Sequence, residues 1–267
     1  MKCCSAQTSA CWEDPESTLA KAIPRIREAA DIGASLIAFP EQFATGWDPR
    51  SHLHTGEISG TIVSRLTTFA REYGIAVIGS FREAASPLPK NTAVVIGSNG
   101  NILARYSKVH LFSYDGEDQF YSPGEETAVF TLGNMRIGVA ICYDLRFPEL
   151  FRIYADQGVH GVIVPSAWPK SRLRHWELFI RARAAENQIY VIGVNTTGTN
   201  PVGTYAGNSM TAGPDGSILA RAGDGETLLC SDLDATVVEE ARHAFPVHKD
   251  RRPDFYTRPH SGSFRSL

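Results

Sequence analysis

The chain repeats itself, and this constrains its fold more than any other feature. Asp31-Ile32-Gly33 leads through an apolar run to Pro40, seven residues beyond the glycine. Asp156-Gln157-Gly158 leads through Gly161-Val162-Ile163-Val164 to Pro165 with the same seven-residue step. The stretch from Phe69 to Gly79 resembles Arg183 to Gly193, and Ser98 to Arg105 resembles Pro214 to Arg221. These three pairs are offset by 125, 114 and 116 residues and keep their order. The opening Met1 to Ala6 also has a counterpart in Met135 to Ala140. One helix–Gly–strand–Pro match is common in α/β chains; four in the same order indicate an internal duplication.

Each half alternates its periodicity. Residues 17–32 place Leu19, Ile23, Ile26, Ala30 and Ile32 at helical spacing, with Pro24 as an interruption. Gly33 ends that helix, and Ser35 to Phe39 reads as a buried strand. A second helix over 61–73 stops at Gly74 and is followed by the strand Ile75 to Gly79. Strands over 92–97 and 102–106 flank Ser98-Asn99-Gly100-Asn101, whose Asn-Gly is a hairpin signal. The pattern predicts two duplicated β-α-β-α-β-β halves, each a sheet with helices on one face. Each half must bury its other sheet face, which stacks the sheets into a four-layer αββα sandwich. The break near Ser122 to Glu126 is too short for an interdomain linker, so a single domain over 1–267 is expected. From about Phe245 the tail is basic and aromatic without periodicity: either an irregular arm packed on this or a neighbouring subunit, or a frayed end.

Composition excludes several function classes. With 43% hydrophobic and 21% charged residues the chain is an ordinary globular one, not a disordered segment. A net charge of −3 provides no overall basic field for nucleic acid or an anionic membrane. The N-terminus lacks an apolar run long enough for a signal-peptide core, and no stretch approaches the roughly 20 apolar residues of a membrane helix. The five cysteines (Cys3, Cys4, Cys11, Cys142, Cys230) form no CxxC pair and no zinc-like spacing. Reduced thiols in a cytoplasmic protein without a bound metal are therefore expected.

Ligands of open α/β sheets gather beyond the carboxyl ends of the strands. Glu41, Lys108 and Trp168 follow predicted strands there, and Cys142 ends the strand Ile137 to Ile141. Singly, each has an ordinary structural explanation: a helix cap, a solvated charge, a small buried hydrophobe, core packing. Together they suggest chemistry. A thiol with an ordinary pKa of about 8.5 needs a base or a positive neighbour to attack at neutral pH. Glu41 can serve as that base and Lys108 as that cation.

Phe39-Pro40-Glu41, the stretch from Tyr106 through Lys108 to Phe112, and the stretch from Ile141 through Cys142 to Glu149 resemble the three motifs of the nitrilase superfamily. The resemblance runs from residue 1 to about 250, in the expected order. It implies a carbon–nitrogen hydrolase with a Glu–Lys–Cys triad on an αββα sandwich. Glu41 would be the general base, Lys108 the cation that stabilises an oxyanion, and Cys142 the nucleophile of a thioester intermediate. It further implies a second glutamate between the lysine and cysteine motifs. Glu117 fits that place, with Asp118 and Glu125 as alternatives. Tyr143 and Trp168 would wall the substrate pocket, with core packing the alternative for Trp168. Asn195 and Ser209 are candidate supporting donors.

Cys-Tyr-Asp-Leu-Arg-Phe-Pro-Glu after the strand is similar to the amidase branch, including ω-amidases and deaminated-glutathione amidases. Nitrilases more usually carry Cys-Trp-Glu-Asn. The implied substrate is a small linear carboxamide, with carbamoyl amides and nitriles as alternatives and a non-catalytic ligand-binding member as a third class. A 2-oxo dicarboxylic acid monoamide would need a cation for its free carboxylate, for which Arg146, Lys170, Arg172 and Arg174 are candidates. The resemblance also implies a homo-oligomer, most simply a dimer, and requires no cofactor.

Overall fold

The structure, a computed structural model, describes residues 1–58 and 60–257. The first half runs β1 (Lys2–Gln7), α1 (Pro15–Asp31), β2 (Leu36–Ala38), α2 (Thr61–Tyr73), β3 (Ala76–Glu83), β4 (Lys90–Ile96) and β5 (Ile102–Ser107). A short helix α3 (Glu117–Phe120) and the edge strand β6 (Val129–Leu132) precede the second half. That half runs β7 (Met135–Val139), α4 (Pro148–Asp156), β8 (Gly161–Ser166), α5 (Leu173–Asn187) and β9 (Tyr190–Asn195). A two-stranded hairpin, β10 (Thr197–Thr199) and β11 (Thr204–Ala206), is followed by β12 (Met210–Ala212), β13 (Ile218–Arg221) and β14 (Thr227–Asp232). Helices α6 (Ala235–Ala244) and α7 (Pro253–Tyr256) close the described chain.

The duplication is visible in the strand order. One sheet is ordered β14-β1-β2-β3-β4-β5 and the other β13-β12-β9-β8-β7-β6. In each, three strands are parallel (β1, β2, β3 and β7, β8, β9) and a hairpin then returns antiparallel. Even the hairpin turns match: Gly100 and Gly216 sit at φ +82 and +79, a region open to glycine. Each repeat holds one strand beyond the six-element unit, and each sheet gains an edge strand from outside its repeat.

Helices α1 and α2 cover the outer face of the first sheet, where Leu19, Ile26, Leu66 and Phe69 meet Ile37, Val77 and Val94. The inner faces meet through residues such as Leu36, Ile78 and Val95 on one side and Ile137 and Val139 on the other. Helices α4 and α5 complete the fourth layer. Pro24 lies within α1 and does not end it, because it sits on the exposed side where the freed carbonyl of Ala20 meets water. Asp14 starts that helix at Pro15, accepting a hydrogen bond from Ser17 N, two residues earlier than the apolar spacing implies.

Two expectations are corrected. The first is that all five thiols are free. β1 and β14 pair antiparallel with Cys4 directly opposite Cys230, and the two are joined by a disulfide. The partners are 226 residues apart, so no local spacing could signal the bridge. Cys3, Cys11 and Cys142 are free. The second concerns the tail, which is neither frayed nor wholly irregular as far as Thr257. It makes two helical turns and folds back on its own chain: His248 meets the carbonyl of Asn187, and Arg251 pairs with Asp156. The rest of the expected arm lies outside the described residues. Among the described residues no helix is long and apolar enough to cross a membrane.

Candidate active site

The carboxyl ends of β2 and β8 and the ends of β5 and β7 converge between the sheets. Glu41 follows β2 by a short turn that Phe39 anchors through its N–H to the carbonyl of Ile78. Lys108 follows β5, its N–H donating to Asn91 O and its carbonyl accepting from Gly124 N. Glu117 is brought in by α3. All three side chains are essentially sealed from solvent.

Lys108 Nζ donates to Glu41 Oε1 and Glu117 Oε2, at 2.8 Å each. Asn91 Nδ2 spans the same two carboxylates, at 2.7 Å from Glu41 Oε1 and 3.2 Å from Glu117 Oε1. Glu41 Oε2 accepts from Ala167 N at 3.1 Å, and Glu117 Oε2 from Phe112 N at 2.7 Å. One ammonium thus faces two carboxylates in a dry pocket. Burial pushes the Glu41 pKa up, against the pull of the lysine; the Glu117 charge adds to the rise. Burial alone would lower the Lys108 pKa, but Glu117 and Glu41 outweigh it and hold the amine protonated.

Cys142 does not end the strand, as the apolar run suggested. β7 stops at Val139, and Cys142 opens a tight 3-10 turn, Cys142–Arg146, at φ +46. Such a conformation costs a non-glycine residue about 1–3 kcal/mol and is retained where the surroundings enforce it. Asp144 supplies the enforcement. Its Oδ2 accepts from Ile141 N at 2.9 Å and from Tyr106 OH at 2.7 Å. Its Oδ1 accepts from His110 N at 2.9 Å and contacts His110 Nδ1 at 2.8 Å. One buried carboxylate therefore ties the cysteine turn to the segment carrying Lys108. Burial first, then the Glu41 charge, holds the Cys142 thiol well above its ordinary pKa. Both effects favour the thiol over the thiolate.

A cavity of about 480 Å³ opens above Cys142 and Lys108. Tyr143 and Trp168 line it, as do Trp47 and Tyr205. Arg146, Lys170 and Arg172 stand around it, whereas Arg174 lines a separate surface groove and is set aside as a contact for this site. Arg146 lies 4.9 Å from the ring centre of Trp168, and Arg172 lies 4.7 Å from that of Tyr114. Among the described residues neither guanidinium has a carboxylate partner. Asn195 fixes Trp168, accepting from its N–H at 2.7 Å and donating to its carbonyl at 3.1 Å; Ser209 Oγ accepts from Asn195 N at 2.9 Å.

The structure thus brings Glu41, Lys108, Glu117 and Cys142 together and lines the cavity above them with Tyr143 and Trp168. Sequence reasoning missed Asn91, Trp47 and Tyr205, and passed over Asp144. Asn91 carried no usable signal, because it stands between Lys90 and Thr92 at the polar start of β4 and just outside the strand expected over 92–97; Trp47 and Tyr205 lie in loop and hairpin segments and are equally unmarked.

Residues 3–243 match the carbon-nitrogen hydrolase family. The chain is 35% identical to the omega-amidase NIT2 of Xenopus tropicalis over 250 residues, covering 90% of this chain and 91% of that one. Among solved structures, a carbon-nitrogen hydrolase from Helicobacter pylori G27 superposes with a TM-score of 0.89 at 26% identity, covering 96% of this chain and 97% of that one. A mutant amidase from Nesterenkonia sp. AN1, with acrylamide added at its active site cysteine, superposes with a TM-score of 0.82 at 30% identity, covering 94% and 99%. By its sequence, its paired sheets and its buried Glu–Lys–Cys cluster, the chain belongs to the carbon-nitrogen hydrolase family.

Proposed function

We propose that this cysteine-dependent amidase hydrolyses the terminal carboxamide of a small linear acid, as ω-amidases do, through a thioester on Cys142. The observation that carries the reading is the Lys108 amine held between Glu41 and Glu117 beside Cys142, on the floor of a cavity bordered by unpaired cations. Glu41 accepts the thiol proton as sulfur attacks the amide carbon. Lys108 and the Tyr143 N–H receive the oxyanion, a contribution on the order of 3 kcal/mol per donor. Glu41 then returns the proton to the departing nitrogen. Glu117 and Asn91 act as positioning residues, keeping the ammonium and the base in register. Tyr143 and Trp168 flank the acyl chain, and Arg146 and Arg172 meet the distal carboxylate.

Ammonia release over a panel of dicarboxylic monoamides, neutral amides, carbamoyl amino acids and nitriles tests this reading. Monoamides of dicarboxylic acids should lead. Arg146→Met or Arg172→Met should raise KM for these acids and leave neutral amides unchanged. Undiminished turnover in Cys142→Ala would refute the mechanism.

The reading treats 1–267 as one catalytic domain, assembling as a homodimer in the cytoplasm. Light scattering tests the assembly. Cell fractionation with immunodetection tests the location, and recovery of the chain outside the cytoplasmic fraction would overturn it.

A further inference from the structure

Glu41 does not line the large cavity that exposes Cys142 and Lys108. It lines a second, smaller one of about 20 Å³ on the far side of Trp47 and Tyr205, the two residues common to both. This inner cavity also borders Ser9, Thr197 and Asn200 and lies beneath the β10–β11 hairpin. A water molecule needs roughly 10–15 Å³ and two or more polar partners. The volume here suits one small polar molecule. The Glu41 carboxylate and the surrounding hydroxyl and amide groups supply partners. Trp47, which borders both cavities, has a buried indole N–H with no hydrogen-bond partner among the described residues.

We propose that this inner cavity is the site for the hydrolytic water, which thereby bypasses the acyl chain in the large cavity. This inference rests on the thioester reading above. In acylation the amide nitrogen takes its proton from Glu41 and leaves as ammonia as the C–N bond breaks, while the acyl chain fills the outer cavity. A water from the inner cavity then approaches the thioester. Glu41 removes one of its protons as the water oxygen bonds to the thioester carbon. The C–S bond breaks, its electron pair leaves with sulfur, and the proton held by Glu41 passes to Sγ. The products are the carboxylic acid and the free thiol, and no other reactant is consumed.

Ala10 lines the inner cavity and not the outer one, and its methyl group makes no hydrogen bond. Thr199 lines the same cavity from the exposed strand β10. Ala10→Phe and Thr199→Phe would therefore obstruct it at two independent points. Glutaramate serves as the probe. With enzyme in excess, rapid quenching and intact-mass spectrometry follow formation and decay of the Cys142 adduct. We expect adduct decay to slow at least tenfold in either folded variant, with adduct formation within twofold of the unmutated enzyme. Unchanged decay in both variants, or formation and decay slowing in parallel, would overturn the proposal. If the unmutated enzyme forms no adduct, the thioester reading itself fails and this inference fails with it.

Discussion

The Glu41 carboxyl and the Cys142 thiol are both buried, and their surroundings decide how readily each ionises. Burial holds both above their ordinary pKa, so neither is charged as readily as it would be in water. The proposed mechanism uses Glu41 as a carboxylate. As pH falls through its raised pKa, that form is lost, so the acid limb of kcat/KM should lie above the ordinary glutamate value of 4.5. The pH profile checks this, and a limb at or below that value would contradict it. Glu41→Gln keeps the shape but not the base, and should lower kcat by about 10²–10⁴-fold with little change in melting temperature. Glu41, Lys108 and Cys142 were readable in sequence because each carries reactive chemistry at a strand end. Asn91 was much less so. Its importance depends on facing two carboxylates at once, one before it and one after it in the chain, which only the packed sheets reveal.

Between elements, Asp144 does for the Cys142 turn what Lys108 does for the two glutamates. It gathers donors from β5, from the segment after Lys108 and from the turn that carries Cys142. Asp144→Ala leaves several buried donors unsatisfied and should destabilise the fold by on the order of 3 kcal/mol. Its effect on turnover should exceed its effect on KM, because Tyr143 and Trp168 still line the cavity while the turn at φ +46 loses its anchor. Asp144→Asn, which restores part of the hydrogen bonding, should recover part of kcat. Urea titration and steady-state kinetics on the two variants check both statements. Helix α2 was legible end to end, since its apolar face and Gly74 mark its length. α1 was less so: Pro24 argues against it locally, and only its solvent-facing position shows why the helix tolerates it. The cysteine turn was read as strand because the apolar run from Ile137 to Ile141 continues past the last ladder residue, Val139.

At the scale of the whole molecule, the two halves are interdependent. Glu41 and Lys108 come from the first repeat, whereas Cys142 and the Ala167 N–H that braces Glu41 come from the second. The duplication could be seen in sequence because its turns and strand ends repeat. The return of β14 to pair with β1 could not, because nothing local announces a partner so far along the chain. Cys230→Ser should lower stability by about 2–4 kcal/mol, since the bridge restricts mainly the unfolded chain. The expected sign is a fall in the urea midpoint, with turnover preserved, because the bridge lies on β1 and β14 and not on the segments that carry Glu41, Lys108 or Cys142.

That bridge also alters what a cut means. Residues 4–230 are therefore closed into a covalent ring that holds Glu41, Lys108 and Cys142. A protease that severs an exposed turn anywhere within the ring opens it without parting it. The two pieces stay one molecule and migrate as one until a reductant is added, which hides such damage from any separation by size that does not first break the disulfide.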